Sequence, residues 1–211
     1  MERIRSIYRR SFLILAAGSL LLTGCATRSV GRVGPTTMQV ALEPYPAEQQ
    51  LDVGIQVFRE GEVDQEAMEK KHTSRQIRKS EVLFMPYHLK TTLDQSGYWG
   101  EVQVVPENAS GKDLMLEAEI ISSNGEELAL DVRATDSRGE VWIDRVYRDK
   151  VSQQNYEDIR RGKTGPFQNI YNAIANDLAS VRRRMDSLQV RRLQRTTQIL
   201  FAAELVPGAY G

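Results

Sequence analysis

The sequence predicts a mixed α+β fold: one mixed, mostly antiparallel sheet of about five strands, packed with a short and a long helix. Five segments between Leu51 and Val151 alternate apolar and polar residues or form short bounded apolar runs, as strands do. One run from Phe167 onward instead spaces its apolar residues three and four apart, as a helix does. With 41% hydrophobic and 27% charged residues, the 211-residue chain has the composition of one ordinary domain, and multipass membrane proteins are excluded.

Taken in order, MERIRSIYRR is basic and Ser11 to Leu22 is an apolar run of secretory-signal length, too short for a comfortable membrane span. Leu22-Thr23-Gly24-Cys25 follows, an apolar residue, two small ones and a cysteine. This resembles the bacterial lipoprotein signal. The resemblance implies cleavage between Gly24 and Cys25, a diacylglycerol on the Cys25 thiol and acylation of the new amine, which together exceed the two-signal threshold for stable anchoring. Ala26 stands where an Asp would mark inner-membrane retention, so the resemblance implies the outer membrane, with the domain facing the periplasm. Cys25 is the only cysteine, so an exported domain has no disulfide and is held by its core alone.

Residues 25–50 mix Gly, Pro, Thr and Ser without periodicity and read as a lipidated tether; the other reading is a short edge strand around Met38 to Leu42. The folded domain is expected over 51–188. Leu51 to Phe58 is a strand with one buried face, and the charged stretch from Arg59 to Glu81 is a solvated loop or frayed helix. Pro86 suits a first turn, so a helix opens near Met85, turns Leu89 and Leu93 inward and stops at Gly97. Tyr98 to Val105 is a second strand. Asp113 to Ser122 and Glu127 to Thr135 form a hairpin. A two-residue Asn124-Gly125 turn would set Ala118 opposite Asp131, whereas a loop of three or five residues sets Ile120 opposite Leu130 and Ala118 opposite Val132, and the longer loop is preferred. Asp136 to Gly139 is a type I turn, and Glu140 to Val151 is an interior strand because Val141, Trp142 and Ile143 put apolar groups on both faces.

Phe167, Ile170, Tyr171, Ile174, Leu178, Val181, Met185 and Leu188 then mark one long helix, which can continue through Ser187 to Ala203. Residues 189–211 form a C-terminal helical extension beyond the domain. It exposes Arg191, Arg192 and Arg195 beside Leu193, Ile199 and Leu200, and these six residues are the candidate interaction surface. A solvated basic face is the plainer reading of the arginines, including Arg182 to Arg184.

Other motifs fail. Gly162-Lys163-Thr164 has Glu157 where a phosphate loop needs its first glycine, and His72 and His88 have no ligand-like spacing. There is no Gly-x-Ser-x-Gly elbow, so no catalytic residue, metal or cofactor is expected and the protein reads as a non-enzyme. Glu117, Glu119, Glu127 and Asp131 share a wet sheet face near Arg133 and Arg145, a setting that mostly solvates. Removing residues 1–24 leaves 24 basic against 27 acidic groups, a net of about −3, which argues against nucleic acid as a partner.

The order of elements, with DLMLEAEI, the DSRGEVW turn and strand, and the closing amphipathic helix, resembles the periplasmic lipoprotein domains related to the curli-secretion lipoprotein, the penicillin-binding-protein activator lipoproteins and the N-terminal domain of the Tol translocation protein. The resemblance implies protein contacts rather than catalysis. Two functions stay open: an outer-membrane-anchored module that assists assembly of an envelope complex, with an envelope protein or a second copy as partner, or a transport-accessory lipoprotein holding a small or lipidic ligand. The first calls for an exposed apolar patch, the second for an enclosed apolar pocket between sheet and helix.

Overall fold

The computed structural model describes residues 29–61, 75–151, 165 and 167–205. Seven strands, β1 (Ser29–Arg32), β2 (Val53–Gln56), β3 (Arg59–Glu60), β4 (Val102–Val105), β5 (Leu114–Ser123), β6 (Glu127–Asp136) and β7 (Val141–Lys150), form one sheet. The helices are α1 (Arg75–Ser96), α2 (Gln168–Arg182) and α3 (Ser187–Leu205). The sheet runs β1-β7-β6-β5-β2-β4, with β3 also paired to β5. The three ten-residue strands are antiparallel to one another, and the short strands flanking them join in parallel. The mixed α+β fold is as expected, with seven strands and three helices where about five and two were read. We call the end where β2, β4, β5 and β7 begin basal, and the opposite end apical.

The hairpin has the favoured register: Ile120 lies opposite Leu130 and Ala118 opposite Val132. It reaches that register by a different route. Ser123 pairs with Leu128, leaving four residues in the loop, and a bulge at Ile121 shifts the ladder by one. Asn124 organises the turn by accepting from the Glu126 and Glu127 amides, and Gly125 takes φ +79°. Leu114, Leu116, Ile120, Leu128, Leu130 and Val132 are all at or below 1% exposure. Asp136 to Gly139 closes the next turn through Gly139 N–H to Asp136 O, and β7 is interior, between β6 and β1.

Three readings are corrected. First, β2 is buried on both faces, not one. Its outer face is covered by the Met115 side chain of the neighbouring β5 and by the chain leading into β5: a Cβ at Gly54 would meet Met115 Sδ at 2.6 Å and Lys112 Cγ at 3.1 Å, and Gln56 Nε2 donates to Ala109 O. Second, α1 opens ten residues before Met85 and carries Pro86 in its interior. The ring removes one ladder bond, yet Met85, Leu89 and Leu93 are all buried on the same side and hold the helix to the core. Gly97 terminates it in the left-handed conformation, φ +71°, as expected.

Third, the segment read as a tether is built into the fold from Ser29. β1 pairs with β7, Val33 is buried, and no strand forms at Met38 to Leu42. The chain then runs along α2, where Asn169, Asn172 and Asn176 recur every three or four residues and so share one helix face. They bind its backbone. Thr36 N–H donates to Asn169 Oδ1 (3.0 Å), Asn172 Nδ2 to Thr36 O (2.7 Å), Asn176 Nδ2 to Thr37 O (2.9 Å) and Gln39 N–H to Asn176 Oδ1 (2.7 Å). Residues 36–39 are thus a strap clamped by an asparagine ladder, which leads back to the basal end and into β2.

Candidate interaction surface

α2 and α3 are two helices where one was read. Asp186 caps α3: its Oδ1 accepts from the Leu188 and Gln189 amides, and Gln189 Oε1 accepts from the Asp186 amide. This reciprocal cap is the Asp-x-x-Gln form of the capping box, and it starts a new helix where the three-four spacing ran on. The break lets α3 swing across the basal end of the sheet. Ser137 Oγ donates to Leu193 O, Gln194 Nε2 to Gln50 O (2.8 Å) and Thr197 Oγ1 to Asp113 Oδ1 (2.6 Å), while Ser110 bonds to Glu204.

Of the six surface residues expected here, five are outside. Arg191, Arg192, Arg195, Ile199 (53% exposed) and Leu200 (48%) face solvent. Leu193 does not. It is fully buried with Val190 beneath α3, so this part of the extension folds back on its own domain. The sequence reading also missed Leu188, Phe201 and Leu205, all about half exposed or more. At 100° per residue, Leu188, Arg192, Arg195 and Ile199 fall within about 60° of arc, with Arg191 beside them. That outward stripe is opposite the buried Val190 and Leu193, so α3 is apolar on two sides.

Asp113, which receives Thr197, is a buried carboxyl whose other oxygen accepts from the Asp52 amide. Burial pushes its pKa up, partly offset by those hydrogen bonds. It helps line an open polar cleft of about 270 Å³ with Gln50, Asp52, Gln194, Thr197 and Gln198. Nearby Arg182, 1% exposed, lies 3.9 Å from the centre of the Tyr45 ring and donates to Gln49 O, tying α2 to the chain entering β2.

A second exposed apolar group lies on α1: Leu83, Phe84 and Tyr87, 55–66% exposed. Starting the helix at Met85 hid it, because the i, i+1, i+4 grouping exists only if the helix extends upstream. Glu81, two residues before Leu83, accepts from Ser123 Oγ at the apical end of β5, so the patch sits towards that end.

The remaining motifs fall to plain roles. Glu117 pairs with Arg59 (3.4 Å) and Glu127 with Arg148 and Lys150, while Arg133 pairs with Asp144 (3.2 Å). Arg145, expected near those acids, instead meets Asp177 on α2 (3.1 Å). No group of three or more His, Cys, Asp or Glu suited to a metal occurs among the described residues. His88 stacks on Tyr171. Gly24, Cys25, His72, Glu157 and Gly162 to Thr164 lie outside the described residues.

No family model and no curated protein matches the chain. Among solved structures it is similar to a dodecameric PelC variant from Paraburkholderia phytofirmans, at 14% identity and TM-score 0.35, covering 72% of this chain and 97% of that one. It is also similar to a DUF330 protein from Xanthomonas campestris (12% identity, TM-score 0.29, 82% of this chain and 99% of that one) and to a neuraminyllactose-binding hemagglutinin homolog from Helicobacter pylori (10%, 0.23, 72% and 97%).

Proposed function

We propose that the protein is an outer-membrane lipoprotein, anchored through Cys25, whose periplasmic domain is a contact module for assembling an envelope complex rather than a carrier or a catalyst. The lipoprotein-type signal supports the anchor. One observation favours contact over carriage. The space between sheet and helices is filled by Leu89, Leu93, Leu116, Leu130, Ile170, Ile174 and Leu178, none more than 1% exposed, while Leu83, Phe84 and Tyr87 point outward. A module displays its apolar groups; a carrier encloses them.

A photoreactive residue at Phe84, introduced into the full chain in cells, tests this. The expected result is a discrete protein adduct, with an envelope protein or with a second copy, that disappears in Leu83→Ser/Tyr87→Ser. A protein that yields no adduct and instead purifies with a bound lipid or small molecule would overturn the reading in favour of carriage. For the anchor, Cys25→Ser is expected to shift the protein from the membrane to the soluble fraction.

A further inference from the structure

We propose that the outward stripe of α3 rests on the anionic lipid surface to which Cys25 anchors the chain, so that the domain stands on its basal end. This rests on the lipid-anchor reading above. The argument joins the route of the chain to the charge of α3. Ser29 pairs with Arg145, and counting four places back along β7 reaches Val141, the strand's basal residue. Cys25 precedes Ser29 by the same four places, and four residues span at most about 14 Å. That reach takes in the basal end, four strand residues away, and falls short of the apical end, where Lys150 lies five places beyond Arg145, so an anchor on Cys25 keeps the basal half of the sheet towards the bilayer.

α3 covers that end, docked through Ser137, Gln50 and Asp113. Its outer side carries Arg191, Arg192 and Arg195 between the exposed Leu188 and Ile199. Arginines seek lipid phosphates while the apolar pair enters the headgroup boundary, as in helices that lie in a membrane interface. Arg183 and Arg184, exposed in the turn before α3, extend the positive field. The acids at this end are mostly engaged: Asp186 caps α3, Glu140 and Asp136 pair with Arg138, Glu101 pairs with Lys112, Glu204 bonds to Ser110, and Asp52 and Asp113 accept backbone and Thr197 hydrogen bonds in the cleft beneath α3, while Glu48 is exposed on the turn before β2 that packs on α3. The arginines on the stripe thus face outward without an acid from their own helix beside them; Glu204 lies more than two turns beyond Arg195.

The test uses the full-length, membrane-extracted protein reconstituted in vesicles of phosphatidylethanolamine with 30% phosphatidylglycerol. A polarity-sensitive fluorophore is placed at Ile199→Cys and, as a reference, at Glu126→Cys on the apical hairpin. An acylated Cys25 has no free thiol to take the label. The expected result is a label at 199 that is shielded from water and quenched by lipid-borne quencher, and a label at 126 that is neither. Arg191→Glu/Arg192→Glu/Arg195→Glu should weaken the surface contact by at least about 100-fold and return the 199 label to water while the protein stays on the vesicles. Equal wetting of both labels on an acylated protein overturns the inference alone. Shielding at 199 that follows protein concentration rather than phosphatidylglycerol overturns it in favour of a second copy. A free Cys25 thiol and no sedimentation with vesicles overturn the anchor reading and this inference together.

Discussion

Asn176→Ala removes both hydrogen bonds that hold the far end of the strap, from Gln39 N–H and to Thr37 O. A hydrogen bond contributes a net 0.5 to 1.5 kcal/mol, and these two are solvent-exposed, so together they stabilise the closed strap by about 1 to 2 kcal/mol. Ala is also the better helix former at an interior position of α2, by about half a kcal/mol. The hydrogen-bond loss acts on strap opening and on global unfolding alike, the helix gain on global unfolding alone. Opening of residues 36–39 should become about 5- to 30-fold easier, whereas global unfolding in denaturant should lose less, about 0.5 to 1.5 kcal/mol. Amide hydrogen exchange separates them: the Gln39 amide should exchange faster by that factor, while those of Leu130 and Val132 in β6, which open only with the whole domain, should accelerate less, by about 2- to 12-fold. Equal acceleration in β6 would mean that the strap opens only when the whole domain does. No acceleration at Gln39 would mean that contacts other than the ladder hold it, and the account of the asparagines would be wrong.

Leu130→Ala, at a site with 0% exposure, is expected to cost about 2 to 5 kcal/mol in denaturant unfolding; a loss under half a kcal/mol would show that the sheet face is not sealed. Leu193→Ala should cost a similar amount because α3 packs on its own domain, and deleting Arg191 to Gly211 should destabilise what remains; an unchanged midpoint for both would show α3 to be detachable. Asp113 and Asp149 are both raised by burial, so the folded state holds their protons more tightly than the unfolded chain does. Their contribution is therefore present below the ordinary carboxylate value of about 3.9 and is lost as pH rises through their folded values. Asp113→Asn should flatten part of that decline in stability between acidic and neutral pH, and an unaltered slope would refute the assignment.

The long strands were legible because each carries its own period. In β5 and β6 a one-residue slip would expose the whole apolar set, so burial alone selected Ile120 opposite Leu130. The bulge at Ile121 was not legible, because the same register follows either from an odd loop or from an even loop plus one extra residue. β2 misled because its second face is covered by a distant segment, returning past Gly54, that leaves no mark on the local alternation. In the helices the signals were present but outweighed. Asp186-x-x-Gln189 is a start signal inside a run whose spacing continues through it, and the asparagine ladder reads as the ordinary polar side of α2 until the strap lies on it. Of the candidate surface, the exposed arginines, Ile199 and Leu200 were legible from sequence. Leu193 was not, because α3 is apolar on two sides and only the docking to Asp113 and Ser137 decides which side is inside.

That two-sided character bears on how a lipid anchor would present the domain. A flexible 25-residue tether has a root-mean-square span of about 25 to 30 Å and would leave the domain free to tumble over the membrane. With β1 beginning at Ser29, an anchor at Cys25 leaves about 14 Å of reach, less than the roughly 33 Å length of a ten-residue strand. Tumbling is then restricted, and the end bearing α3 stays down. The consequence falls on α1. Leu83 and Phe84 lie close to Glu81, which is bonded to Ser123 at the apical end of β5, so the patch would stand about a strand's length above the lipid surface. The same chain route that presses the basic stripe towards phosphate would hold the uncharged patch out in the periplasm, where a protein partner can reach it. Lengthening the chain between Cys25 and Ser29 by about 20 Gly/Ser residues separates anchoring from orientation. Membrane fractionation should be unchanged, while the phosphatidylglycerol-dependent shielding at Ile199 and the uniform height of Phe84 should both decline. If both persist with the long linker, α3 alone sets the orientation and the short reach from Cys25 contributes nothing to it.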